Sequence, residues 1–254
     1  MLVFWILVVV APFIGSFLGA LALRLPAARP VGWARSACDR CGHVLAARDL
    51  VPIASYAALR GCCRYCRAPI GTFALAMELG ALATAIWAGF ETSGWIFVAS
   101  CVLGWMLLLL GVIDWRTQLL PDVLTLPLLA FGLLAALAIN PDTLLDRAIG
   151  AAAGFAALAL LAFVYARLRG REGLGLGDAK LLAALGAWVS WQGLPTVLLW
   201  GSVLGLVFAL IRAAAGKGLT LSDRLPFGVF LAAGGWLVWL YGPLVLRLPW
   251  GQGS

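Results

Sequence analysis

The chain has 254 residues, 63% of them hydrophobic and 11% charged, with a net charge of +7 and a mean hydropathy of +1.02. That composition lies outside the range of soluble globular domains and requires a bilayer as solvent. The basic excess would suit a nucleic-acid surface only if it were gathered on one soluble domain, and its distribution along the chain follows membrane topology instead.

Met1 to Leu23 carries no charge and reaches the roughly 20 residues that cross about 30 Å of hydrocarbon. Its basic residues follow the apolar run, which is also too long for an ordinary signal-peptide core, so it reads as a membrane helix and not a cleaved leader. Residues 24–71 form an Arg-rich insert holding Cys38, Cys41, Cys62, Cys63 and Cys66. Next comes a segment from about Thr72 to Phe90 with a single acid, Glu78, then uncharged runs at Thr92 to Ile113, Val123 to Pro141 and Ala148 to Ala166. The uncharged run from Leu181 to Ile211 is too long for one crossing. Turn residues at Trp191-Gln192-Gly193-Leu194-Pro195 predict two helices there, the first of them short. Leu225 to Leu246 is the last span. The expected fold is an all-α polytopic membrane protein of about eight transmembrane helices with a small zinc-ribbon-like insert after the first. Its divisions are a first helix at 1–23, the four-cysteine insert at 24–71 and a seven-helix membrane catalytic domain at 72–254.

With the first span running outside to inside, the inner connections hold every Lys and Arg except Arg147 and Arg247, sixteen of eighteen. This positive-inside asymmetry puts the insert in the cytoplasm and both termini outside it. Trp95, Trp191, Trp236 and Trp250 fall near span ends, where indoles form an interfacial belt.

Cys38-Asp39-Arg40-Cys41 and Cys63-Arg64-Tyr65-Cys66 are two C-x2-C knuckles at a spacing close to that of four-thiolate zinc ribbons. Paired disulfides are the competing reading, which a reducing cytoplasm disfavours. An insert with few large apolar residues buries little core, so metal binding would supply its folding free energy, a structural role. Cys63 with Cys66 is preferred over Cys62, which would leave a C-x3-C spacing. Cys101 reads as a small buried apolar residue, and His43, the only histidine, as a residue beside the knuckle or as a ligand or base.

Asp114 closes the third span, and Asp178, preceded by Gly175 and Gly177, opens the sixth. Acids at a membrane boundary are expensive and by default functional. Two carboxylates brought together cannot both ionise cheaply; one retains a proton and polarises a carbonyl while the other activates water, which hydrolyses a peptide bond without metal or covalent intermediate. The glycines allow an extended substrate to approach Asp178 closely. Asp178 could instead cap its helix, and Asp122 could cap the fourth. Two roles are open to Glu78: a hydrogen bond to a neighbouring helix, or a third carboxylate facing the pair. Lys180 would point away from Asp178 on a helix and snorkel to headgroups.

These residues resemble the bacterial prepilin peptidases, which process type IV pilins and type II secretion pseudopilins. The likeness rests on Gly15-Ser16-Phe17-Leu18 with Arg24-Leu25-Pro26, the two knuckles, Leu59-Arg60-Gly61, Glu78, Ile113-Asp114 with Leu120-Pro121-Asp122, and Gly175-Leu176-Gly177-Asp178-Ala179-Lys180. It implies Asp114 and Asp178 as catalytic aspartates, Asp122 as a motif residue beside them, and zinc on Cys38, Cys41, Cys63 and Cys66. It also implies prepilin or pseudopilin substrates, whose basic leader is cut after a glycine at the cytoplasmic face of the inner membrane, and N-methylation of the new terminus from S-adenosylmethionine. Where the family pattern usually has Asn after Gly-Ser-Phe-Leu, this chain has Gly19, a departure that bears on methyl transfer and not on proteolysis. A transporter would want acids near mid-membrane, and a redox or metal sensor would rest on the cysteine insert alone.

Overall fold

The structure is a computed structural model that describes residues 1–28, 36–169, 175–216 and 225–244. Arg29, Arg35, Arg171, Lys217, Arg224 and Arg247 of the topology argument, Gly173 and Trp250 lie outside the described residues, as does the side chain of Arg169. Among the described residues there are eight α-helices: α1 (Leu2–Arg24), α2 (Ala54–Ala58), α3 (Phe73–Glu91), α4 (Gly94–Thr117), α5 (Asp122–Ile139), α6 (Leu144–Arg169), α7 (Leu176–Ala214) and α8 (Phe227–Tyr241). Six of them, α1 and α3 to α7, are long and apolar enough to cross a membrane, and α8 is a shorter apolar helix.

A straight α7 of 39 residues would run for about 58 Å. It is not straight. Ser190 has φ 61° and ψ 176°, outside helical geometry. The side chain of Leu185 touches Gly235 of α8 while the Val197 carbonyl lies 2.7 Å from the Cβ position of the adjacent Gly234. Twelve residues of unbroken helix would hold those two contacts about 18 Å apart, so the chain reverses at Ser190. The halves 176–189 and 191–214 are the expected short and long helices, giving eight apolar helical segments in all. The reversal falls one residue ahead of the anticipated Trp191–Pro195 turn, and Pro195 sits inside the second half.

By packing, the chain divides into two compact units, Met1–Leu109 and Leu110–Ser254. In the first, α1 lies against α3 with Gly15 so close that a Cβ there would meet the Met77 carbonyl at 2.5 Å and the Glu78 Cα at 2.7 Å. Trp105 of α4 donates its indole N–H to the Ala81 carbonyl at 3.0 Å. In the second unit α6 crosses α7 through small residues. Gly150 and Gly186 pack backbone to backbone, and a Cβ at Gly154 would meet the Leu182 carbonyl at 2.6 Å. Small residues at this spacing let helices approach in lipid, where no hydrophobic force draws them together. Trp188, fully buried, donates its indole N–H to the Leu128 carbonyl of α5 at 2.9 Å. Trp236 is also buried and departs from the belt reading, because it lies on the face of α8 that packs inward; Trp95 and Trp191 remain exposed.

Candidate active site and metal centre

The cysteine insert is built from two knuckles with one hydrogen-bond pattern. Cys38 N–H donates to the His43 carbonyl at 3.0 Å and Gly42 N–H to the Cys38 carbonyl at 2.8 Å; Cys63 N–H donates to Ala68 at 2.8 Å and Arg67 N–H to Cys63 at 3.0 Å. The fifth residue of each knuckle is left-handed, Gly42 at φ 67° and Arg67 at φ 59°. The four sulfur atoms of Cys38, Cys41, Cys63 and Cys66 lie within 4.8 Å of one another. Thiolates on tetrahedral zinc, with Zn–S near 2.3 Å, sit about 3.8 Å apart; Cys38 Sγ and Cys66 Sγ, from opposite knuckles, are 3.8 Å apart. The donor set fits a metal ion. Backbone N–H groups of Cys41 and Arg40 pull the Cys38 thiol down to about 6. Cys66 receives the Ala68 N–H, which favours its thiolate, yet desolvation and the thiol groups of Cys41, Cys63 and Cys38 push it up to about 11. The cluster could hold a metal ion on four sulfur ligands.

Cys62 stands outside the cluster, with Sγ 3.7 Å from the Arg60 carbonyl. Cys101 is buried in α4. The His43 ring stacks on Tyr65 with centroids 3.6 Å apart. Asp49 ties the insert together by accepting Arg64 Nε at 2.6 Å, Tyr65 Oη at 3.3 Å and Ala46 N–H at 3.3 Å, and the Arg64 guanidinium holds its carboxyl below the usual range.

Of the two roles open to Glu78 in the sequence, the hydrogen bond to a neighbouring helix is the nearer, since its partner Ile53 opens α2. Buried in α3, Glu78 accepts the backbone N–H of Ile53 in the insert at 2.7 Å. Ile53 has φ 60° and ψ −52°, and Ala54 N–H reaches back to the Pro52 carbonyl at 2.5 Å. This is a γ-turn of the rare, positive-φ kind, adopted here by a β-branched residue.

Asp114 lies in the last turns of α4 and is 4% exposed. Asp178 is half-buried in the first turn of α7. The end of α4 and the head of α7, separated in the chain by α5 and α6, meet around one residue that borders both acids' neighbourhoods. Leu120, in the link from α4 to α5, packs between their surroundings: its Cβ is 3.0 Å from the Cβ position of Gly177, and its Cδ1 is 3.0 Å from that of Gly228. Asp178 does not cap α7, because Gly175 occupies the cap position. Asp122 makes no side-chain cap on α5. It is instead gripped by Lys180, whose Nζ lies 2.6 and 2.8 Å from its two oxygens, so Lys180 forms an ion pair where snorkelling was expected. Both corrections share a cause: a carboxylate and an ammonium within reach pair with each other before either settles for a weaker partner.

The sequence reading missed the start of α8. Val229 N–H donates to Asp114 Oδ2 at 3.1 Å. The signal was present as Pro226 and Gly228 at the head of an apolar run, a proline at a helix start followed by a glycine in its first turn.

Residues 101–210 match the type IV leader peptidase family and residues 9–91 the bacterial peptidase A24 N-terminal domain. A prepilin leader peptidase/N-methyltransferase of Burkholderia pseudomallei is 40% identical, over 95% of this chain and 86% of the relative. Proteins of the same description from Aeromonas salmonicida and Pseudomonas aeruginosa are 43% and 35% identical, over 84% and 92% of this chain and 73% and 89% of theirs. No solved structure matches the chain. With the acid pair inside one matched region, the four cysteines inside the other and full-length relatives at this identity, the chain belongs to the type IV leader peptidase family.

Proposed function

We propose that this chain is a prepilin leader peptidase that hydrolyses one peptide bond with Asp114 and Asp178 as its catalytic pair and methylates the new N-terminus. The shared surroundings of the two acids carry the reading: Leu120 touches both Gly177, next to Asp178 at the head of α7, and Gly228, which packs on the buried Asp114 carboxylate at the end of α4. One carboxylate activates water and the other, holding the shared proton, polarises the scissile carbonyl and returns that proton to the leaving amine. Gly175, exposed just ahead of α7, leaves room for an extended substrate beside Asp178. Lys180 neutralises Asp122, so the motif acid does not add a third uncompensated charge. The positive-inside asymmetry supports a position for the pair and the insert at the cytoplasmic face of the inner membrane. Cys38, Cys41, Cys63 and Cys66 hold structural zinc. S-adenosylmethionine is the methyl donor by resemblance to the family, and no residue of this chain is assigned to it.

Detergent-solubilised protein incubated with a prepilin bearing its leader tests both activities by product mass. Loss of the leader, followed by a gain of one methyl group, is the expected result. Asp114→Asn and Asp178→Asn should each accumulate normally and leave the leader attached. Wild-type cleavage by either variant would refute the paired-acid mechanism.

A further inference from the structure

We propose that Gly228 is a positioning residue for Asp114: because it has no side chain, the opening turn of α8 closes onto the Asp114 carboxylate and holds it with the backbone N–H of Val229. The inference rests on the assignment of Asp114 to the catalytic pair. A Cβ at Gly228 would lie 2.8 Å from Asp114 Oδ2, 3.0 Å from its Cγ and 3.0 Å from Leu120 Cδ1. Ordinary contact begins at 3.4 Å, so a methyl group there moves the carboxylate oxygen by about 0.6 Å or pushes the turn away from it. Either movement disturbs the Val229 N–H bond at 3.1 Å. The first turn of a helix has N–H groups without intrahelical partners and a positive end of the dipole, which suits it to hold a carboxylate oriented at one oxygen.

The other described glycines inside α8 do a different job. Gly234 faces the Val197 carbonyl and Gly235 the Leu185 side chain, both on α7, so they serve helix packing. Gly228 faces an ionisable group. A glycine in a first turn with open space beside it would gain from replacement, since alanine is the better helix former. A glycine that makes room for a catalytic carboxylate loses turnover instead, because a misplacement approaching 1 Å costs about 100-fold in rate.

The test compares Gly228→Ala with Gly234→Ala, a substitution in the same helix with a similar clash, 2.7 Å from a carbonyl, and no carboxylate nearby. Cleavage of a prepilin is followed with thermal unfolding in detergent and with methylation of an already cleaved pilin as a check on the fold. Gly228→Ala should lower kcat about ten- to 100-fold with KM within about twofold and methylation retained. Gly234→Ala should lower Tm and leave kcat within about twofold of wild type. If Gly228→Ala does not accumulate, Gly228→Ala combined with Leu120→Ala is compared with Leu120→Ala alone, which removes the hydrocarbon clash and keeps the one with Asp114; the same loss in kcat is expected. A kcat for Gly228→Ala within twofold of wild type, a loss confined to KM, or an equal kcat loss in Gly234→Ala overturns the inference. Asp114→Asn separates the two levels. If that variant cleaves normally the assignment of the pair is wrong, whereas if it is inactive and Gly228→Ala is not impaired, only the role of Gly228 is wrong.

Discussion

Replacing Glu78 with alanine should release the turn at Ile53. Glu78 Oε2 accepts the Ile53 N–H at 2.7 Å from a site only 6% exposed. A hydrogen bond to a carboxylate contributes about 1.5–3 kcal/mol, and a β-branched residue held at φ 60° costs about 1–3 kcal/mol. The two terms are of one size, so the γ-turn persists only while the carboxylate holds it. At about 1.4 kcal/mol per factor of ten, Glu78→Ala should speed amide exchange at Ile53 by about ten- to 100-fold. Glu78→Gln keeps a carbonyl acceptor and should give a smaller change. The assay is hydrogen exchange read by mass spectrometry on peptides covering residues 50–58, in detergent with zinc present. Ile53→Gly, which removes the steric cost at positive φ, should protect this segment further in the wild-type background. Exchange at Ile53 that is the same in Glu78→Ala and wild type would show that the turn is stable without the carboxylate and refute the balance of terms.

Three further outcomes follow from named contacts. Chelation should expose the thiols of Cys38, Cys41, Cys63 and Cys66 to alkylation and make residues 36–71 protease-sensitive, while Cys101, buried in α4, stays protected; Cys38→Ser should lower folding yield. Arg67→Gly places glycine at the left-handed position that Gly42 fills in the first knuckle; it should stabilise the insert by about 0.5–1 kcal/mol, read as a higher chelator concentration for half-loss of zinc. Gly150→Leu should force α6 from α7 at the point where Gly150 meets Gly186 backbone to backbone, read as a large drop in Tm.

Hydropathy predicted the number of helical segments and their limits to within a few residues, because each segment must satisfy its own backbone hydrogen bonds in lipid and so announces itself locally. The break in α7 was legible as a length too great for one crossing, although its position at Ser190 was not: a lone serine is a weaker turn signal than the Gly193 and Pro195 that follow it. The four-cysteine cluster was legible because each knuckle supplies one pair of sulfur atoms, although Cys62 and paired disulfides stayed open in the sequence, and the structure brings Cys38, Cys41, Cys63 and Cys66 together as free cysteines. Lys180 with Asp122, Glu78 with Ile53 and Asp114 with the start of α8 were not, since each joins residues from distant segments and no period or spacing along the chain encodes them.

Composition and the order of the motifs thus determined a multi-span membrane protein of this family with a four-cysteine insert after its first helix, all properties that short stretches carry by themselves. Tertiary structure alone decided which helix start lies against Asp114 and which charge pairs with Asp122. Those choices depend on close approach between helices far apart in the chain, and that approach is set by side-chain volume at crossing points such as Gly150, Gly186 and Gly228.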